Sequence, residues 1–423
     1  MRSGESSLNR FMKKQSGELT IKTRKWATGF LIFLLVVFGF LANFGYAAPE
    51  TKKKYDIKVG TMAPANTVWI EVPVQLIIPM WRDMTGGRFN VILYSGGVMG
   101  DDNDVIRKIN SGQLDGCACM IQGTILAAPE LSVFSLPKLF ESYDEVDYVI
   151  KRLRKRIDDI FDQKGLLSVG VVDTGFNYLF STKDISTLDL LRKQKIMTWW
   201  GEIEVETLGA LGITPIPTSV SELVNVFPKG LIDAIIAPPA YILGTRTFTY
   251  FKYIYAEPFV YMPATVFVTK KRVAEIAQDL KNDPVEFDRL RQDFVSFRDG
   301  LEAEAYLDKL RIKDEAYRVI GRELLAWIKK QDPREPQDFI GLVVGLYRAA
   351  EEPYVTSLRK YERKCLEGFF RRGIKKVEWP EEDQQALAQA SKKVWEEFSG
   401  KMFPEWFLTG ILSAINEYRV QKK

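Results

Sequence analysis

The 423-residue sequence contains no histidine. That removes a Ser-His-Asp triad, a Cys-His dyad and every histidine-based zinc site from consideration. Cysteine is scarce as well: Cys117, Cys119 and Cys365 give no disulfide framework. Cys117 and Cys119 lie two apart on an expected strand and so share one face. With no further Cys or His beside them to complete a metal site, they read as small core residues. Cys365 falls in a helical pattern and reads as a buried thiol. The chain also lacks a basic body. Its net charge is +4, but the first 25 residues carry +5 and the rest −1, so a nucleic-acid-binding surface is not expected. There is no internal repeat and no low-complexity tract. What remains is an ordinary globular composition, 46% hydrophobic and 27% charged, long enough for two or three lobes.

The basic first 25 residues precede an uncharged apolar run, Trp26–Tyr46, which ends in Ala47-Ala48-Pro49. A positive flank, an apolar run and small residues at its end describe a secretory signal, with Gly45-Tyr46-Ala47 as the cleavage triplet. The alternative is an uncleaved membrane anchor, the run being near the lower length limit for a span. On either reading the body faces the outside of a cytoplasmic membrane, and the localisation expected is the periplasm.

The chain is organised around 191–239, LRKQKIMTWWGEIEVETLGALGITPIPTSVSELVNVFPKGLIDAIIAPP. Its pattern predicts strands at Lys195–Trp199, Thr214–Ile216 and Leu231–Ala237. Between them it predicts a helix over Glu202–Leu211 and a second one capped by Ser219 or Ser221. Strands alternating with short helices imply a parallel sheet, and ligands of such sheets sit beyond the carboxyl ends of the strands. That places Met197–Trp200 and Ala237–Pro239 at a candidate cleft. Upstream, strands are expected at Tyr55–Gly60, Arg88–Tyr94 and Leu114–Ile121. A helix carries Val68, Val72, Leu76 and Met80, with a kink or break from Pro73 and Pro79. Asp101 or Asp102 caps another helix, and Ser142 starts one that runs to Gln163. Leu166–Asp173, Tyr178–Ser181 and Ala264–Thr269 are expected to cross between lobes. From Lys270 onward the chain reads as mostly helical, with breaks near Asp332-Pro333, Glu352-Pro353 and Gly373.

Several segments together carry a family resemblance. They are KVGTMAP (Lys58–Pro64), TGGRFNVILYSGGVMGDD (Thr85–Asp102), INSGQLDG (Ile109–Gly116), SLPKLF (Ser135–Phe140) and KGLLSVG (Lys164–Gly170). Within the focal stretch they are Lys195-Ile196, LGITPIP (Leu211–Pro217), Ser221-Glu222 and Gly230-x-x-Asp233. In order and spacing they resemble the DctP-like substrate-binding subunit of tripartite ATP-independent periplasmic (TRAP) transporters, over about Lys58–Thr269 and again over Tyr361–Lys401. The resemblance implies an α/β, two-lobed periplasmic binding protein fold (type II-like) with a hinge, plus an enlarged helical C-terminal region. The divisions expected are a signal or anchor at 1–48, lobe I at 53–173 with a return segment at 262–285, lobe II at 174–261, and a helical region at 286–423. Helix in Pro284–Tyr354 reads as an insertion.

The resemblance also implies a receptor that captures a small solute between its lobes and hands it to membrane permease subunits, without catalysis, cofactor or metal. The family's ligand chemistry does not carry over. Where the family has K-I-R, whose arginine holds a carboxylate by paired hydrogen bonds, this sequence has Lys195-Ile196-Met197. Where an arginine often follows G-F, it has Gly175-Phe176-Asn177. Where V-D-G-x-E-N ends in asparagine, it has Ala237. The expectation is a rather hydrophobic organic ligand with one polar end, held by Met197, Trp199, Asn177, Ala237 and Pro238, with Trp69, Gln122 and Tyr241 at the margins. Arg246 and Lys195 are the spare cations. The competing expectation is an interaction protein with a degenerate site, whose extra helices dock a helical-repeat (TPR-type) periplasmic partner. An enzyme reading rests only on Glu202/Glu204 and Asp101/Asp102, which as acidic residues at helix starts are ordinary caps.

Overall fold

The computed structural model describes residues 52–422 apart from Val220, Ser221 and Ala256. The expected signal or anchor at 1–48 and the proposed Ser221 cap lie outside the described residues. Among these, no helix is long and apolar enough to cross a membrane.

The first half alternates strand and helix. It runs β1 (Tyr55–Gly60), α1 (Val68–Val72), a π-turn (Pro73–Ile77), α2 (Ile78–Met84), β2 (Phe89–Tyr94), α3 (Asp102–Asn110), β3 (Gly116–Cys119), α4 (Ile121–Ala127) and α5 (Tyr143–Gln163). Then come β4 (Leu166–Ser181), α6 (Leu188–Arg192), β5 (Ile196–Thr198), α7 (Glu202–Ala210), β6 (Ile216–Pro217), α8 (Leu223–Val226), β7 (Ala234–Ala237), α9 (Pro239–Gly244), β8 (Tyr253–Tyr255) and β9 (Val260–Thr269). The C-terminal region is α10 (Lys270–Asn282), α11 (Pro284–Asp299), α12 (Ala303–Lys309), α13 (Glu315–Ile328), α14 (Pro336–Arg371), β10 (Lys375–Val377), α15 (Glu381–Phe398) and α16 (Glu405–Lys422).

The strand order β2-β1-β3-β9-β4-β7-β5-β6 contains two parallel halves, β2-β1-β3 and β7-β5-β6. The antiparallel strands β9 and β4 lie between them. β4 is a single 16-residue strand where the pattern predicts two. It follows β9 from Leu166 to Asn177, then pairs with β7 from Tyr178 to Ser181. The irregularity that split it in the sequence is a bulge between Asp173 and Gly175. Gly175 takes φ +94, and a Cβ there would sit 2.9 Å from the Tyr143 hydroxyl, so only glycine suits this kink.

Local chemistry fixes several helix starts. Asp101 accepts from the Asp104 N–H while Asp104 reaches back to the Asp101 N–H, a reciprocal cap for α3. Ser142 caps α5. α8 starts after Glu222, which makes no side-chain cap. Pro73 and Pro79 distort α1–α2 as expected, here as a π-turn. Pro73 has no N–H for the Trp69 carbonyl four residues earlier, and the Tyr354 hydroxyl of α14 donates to that carbonyl at 3.0 Å.

Two expectations need correction. α14 does not break at Glu352-Pro353 but runs 36 residues through it. Leu346, Ala350, Tyr354 and Leu358 are buried around the proline, and that packing outweighs its lost hydrogen bond. Cys117 and Cys119 are joined by a disulfide. Their Cα atoms are 5.3 Å apart, closer than the roughly 6.5 Å between residues two apart on a regular strand and inside the range a disulfide spans. Cys365 is a buried free thiol, as expected.

At the crossing, Asp173 on β4 ties three elements together. Its carboxylate accepts from Arg359 Nε of α14 at 2.6 Å and from the Tyr261 hydroxyl of β9 at 2.6 Å. Its carbonyl accepts from the Trp69 indole of α1 at 3.0 Å. Arg359 also holds Asp147 of α5 through both terminal nitrogens and lies over the Tyr143 ring. Burial raises the Asp173 pKa, while the Arg359 charge and the two hydrogen bonds pull it back.

Arg359→Met therefore strands a buried carboxylate. It should cost about 3–5 kcal/mol in urea unfolding, and a loss below about 1 kcal/mol would make the tie dispensable. Asp102, 3% exposed, supplies a pH test. Burial pushes its pKa from 3.8 up to about 7, against the bond it accepts from the Gly123 N–H. Between those values the folded state keeps a proton that the unfolded chain has released, so stability falls as pH rises from about 4 to about 7 and is then level. Asp102→Asn keeps the acceptor and removes that term. Its stability relative to wild type should improve by a few kcal/mol between pH 4.5 and 7.5 in denaturant melts; an equal difference at both pH values would refute the assignment.

Candidate functional site

The carboxyl ends of β5 and β7 meet β4 at one edge of the second half-sheet. Met197 pairs with Ile235 and Tyr178 with Ala237, so Asn177 lies one residue beyond the end of β7. Met197, Asn177 and Ala237 are wholly buried, and Trp199, Pro238 and Tyr241 are buried beside them. The first half-sheet closes onto this edge. The Ser219 hydroxyl donates to Asp101 at 3.5 Å. Gly244 at the end of α9 lies so close to Pro64 and Thr67 that a Cβ would be 2.8 Å from the Thr67 methyl. The Asp102 carboxylate is near enough to Tyr241 to raise its phenol pKa further, burial being the larger cause.

Two adjacent tryptophans end β5. Their rings pack edge to face, with centroids 5.7 Å apart. The Trp199 indole is satisfied internally, donating to the Ile236 carbonyl at 2.8 Å. The Trp200 indole is buried and has no hydrogen-bond partner. Glu204, in the first turn of α7, accepts from the Trp199 and Trp200 backbone N–H groups at 2.8 and 3.2 Å. Burial holds its pKa well above the carboxylate range despite these two bonds, which favours the neutral acid. On the crossing strand, neither the nitrogen nor the oxygen of the wholly buried Asn177 amide has a partner.

The remaining candidates separate. Trp69 points its N–H into the crossing at Asp173. Gln122 is half-buried in the first turn of α4, where a strand end was expected. Arg246 is exposed beyond α9, in a left-handed conformation at φ 59. Lys195 is exposed and donates to the Gly230 carbonyl. Neither spare cation lies among the buried cleft residues. The half-buried Arg359 guanidinium at the crossing is committed to Asp173 and Asp147.

Sequence reasoning missed the contribution of α14. Glu362 reaches the start of α9 and accepts from the Ala240 N–H at 3.3 Å. Its second oxygen is buried without a partner, and burial pushes its pKa well above the usual range. Glu362 and Ala240 are 122 residues apart, and no local pattern in the sequence links them. Asp102, Cys117 and Cys119 bring their ligand atoms within 4.8 Å of one another, but the two sulfurs are bonded to each other and are not thiolates.

Against known proteins, the model of the bacterial extracellular solute-binding proteins, family 7 (DctP), matches residues 59–283. The uncharacterized protein YiiZ of Salmonella typhimurium is 27% identical over 156 residues, which are 36% of this chain and 47% of that protein. The chain thus spans about half the length of the curated relatives it matches. The sugar acid binding protein DctPAm from Advenella mimigardefordensis, solved with galactonate, superposes with a TM-score of 0.66 at 16% identity, over 86% of this chain and 99% of that one. A TRAP periplasmic solute binding protein from Ralstonia eutropha H16, solved with (S)-2-acetolactate, gives 0.66 at 17%, with the same coverage. These likenesses establish the two-lobed fold, with additional helix in this chain. With more than half of its residues matched by the family model, the chain belongs to family 7 of the bacterial extracellular solute-binding proteins, the DctP family.

Proposed function

We propose that this protein is the extracytoplasmic solute receptor of a TRAP transporter, which captures a small organic ligand between its lobes and delivers it to membrane permease subunits. The site we assign is the buried edge formed by Asn177, Met197, Trp199, Trp200, Ala237 and Pro238, with Tyr241 closing it. Family and fold are those of substrate-binding proteins.

The ligand we assign is more apolar than the galactonate bound by DctPAm. The observation that carries this is the Asn177 amide, wholly buried with both of its polar atoms unpartnered. A buried amide without partners is costly, and a ligand with one uncharged polar end relieves that cost. The Trp200 indole N–H is a second such donor. A dicarboxylate or sugar acid would need a buried cation, and Met197 and Asn177 stand where the family's arginines would. Docking of a helical-repeat partner by the extra helices has less support. α11–α13 are engaged with the first lobe, through Arg88 to Glu286 and Asp293, Tyr306 to Asp83 and Tyr317 to Glu71.

Native mass spectrometry of the purified protein, with extraction and identification of the bound molecule, tests the reading. A largely apolar, uncharged or singly charged ligand is expected. Asn177→Leu should weaken it about tenfold or more, and Met197→Arg should prevent its retention. Tight capture of succinate or of a sugar acid would overturn the apolar assignment. Empty protein that shows no thermal shift with any solute and co-purifies with a helical-repeat protein would favour docking instead.

A further inference from the structure

A separate cavity of about 120 Å³ lies inside the first lobe, between the sheet and the α1–π–α2 helix. Asn177, Met197, Trp199, Trp200, Ala237, Pro238 and Tyr241 do not line it. The floor is built from small or short side chains at the centre of the sheet. Ala118, Ala264 and Val266 keep accessible surface although they sit on interior strands beneath helices. Larger side chains at these positions would fill the space. The roof is the segment distorted by Pro73 and Pro79 into a π-turn, a distortion frequent at functional sites. α14 contributes Tyr354 to the wall.

We propose that this cavity binds a linear acyl chain bearing one oxygen acceptor. The shape argues for a chain. The lining reaches from Val91 and Leu93 on the edge strand β2 to Val169 and Val172 on β4, four strand spacings away, or roughly 19 Å. A volume near 120 Å³ drawn out over that length is a narrow channel, whereas a void of similar size that holds benzene is compact. The chemistry argues for one oxygen. Trp81 lines the cavity, is 4% exposed, and its buried indole N–H has no partner. An ester, carboxyl or amide carbonyl would accept from it. The half-buried Val91 and Leu93 leave the β2 edge as the side from which a chain would be inserted. The acyl chain belongs either to a free fatty acid or to a lipid, and both present the same chemistry to the channel.

The test is calorimetric titration of the purified, delipidated protein with methyl decanoate, whose ester carbonyl is an uncharged acceptor. One molecule per chain is expected. Ala118→Leu should lower affinity at least tenfold, with the melting temperature unchanged or raised because the added side chain occupies a void. Trp81→Phe should weaken binding several-fold. Asn177→Leu, which alters the interlobe cleft, should leave methyl decanoate affinity within twofold. Wild-type protein that takes up no methyl decanoate overturns the proposal, as does an Ala118→Leu variant that binds like wild type. Loss of methyl decanoate binding in Asn177→Leu would move the ligand to the cleft and equally overturn it. If Ala118→Leu fails to fold, Ala264→Val carries the same expectations. Native mass spectrometry before delipidation separates the sources: an added mass of a fatty acid assigns a free acid, and that of a phospholipid assigns a lipid chain.

Discussion

The ion pair between buried Asp173 and half-buried Arg359 is the constraint on which the arrangement of the lobes depends. β4 has to leave one half-sheet and join the other, and it does so just after the glycine bulge. Asp173 sits at that bulge, and its three acceptor interactions reach α1, β9 and α14. Arg359 extends the connection to α5 through Asp147. A desolvated carboxylate is tolerable only with its partners in place, so this cluster specifies one packing of four elements around the crossing. It also commits the positive charge nearest the crossing to structure, which is why the cleft edge beside it is left with amides, indoles and neutral acids rather than with cations.

How much of this was legible in the sequence depends on the range of the interaction. β1, the start of α5 under Ser142, the cap at Asp101 and the distortion at Pro73 and Pro79 follow from residues within a turn or two of one another, and their patterns announce them. The two parallel half-sheets follow from alternation of strand and helix. The topology rule names the carboxyl ends of β5 and β7 as the candidate cleft, and Met197, Trp199, Trp200, Ala237 and Pro238 lie buried there, while Trp69, Gln122 and Arg246 lie elsewhere. The chemistry of the cleft was less legible. The partner of Trp199 is a backbone carbonyl on a neighbouring strand, and Glu362 and Arg359 enter from a helix far along the chain. The unbroken course of α14 through Pro353 was hidden for the same reason: local propensity argues for a stop, and tertiary burial on both sides of the proline overrides it. The disulfide of Cys117 and Cys119 was not legible, since residues two apart on a regular strand lie roughly 6.5 Å apart and the 5.3 Å spacing of this pair is a local contraction that the pattern does not announce.

The inserted helices bear on the first lobe in one specific way. A helix interrupted by Pro73 and Pro79 holds itself poorly, because prolines remove donors from its ladder. In this chain the missing support comes from outside. Tyr354 donates to the Trp69 carbonyl, Tyr317 of α13 donates to Glu71, and Tyr306 of α12 donates to Asp83. Arg88, just past α2, is clamped by Glu286 and Asp293 of α11. Three of these contacts hold the segment or its end at Glu71, Asp83 and Arg88, and Tyr354, which also lines the lobe I cavity, holds it at the Trp69 carbonyl. That arrangement keeps a void beneath a helix that would otherwise settle onto the alanines of the sheet. The α11–α13 insertion and the cavity are therefore one structural feature: the first supplies the anchorage that lets the second persist.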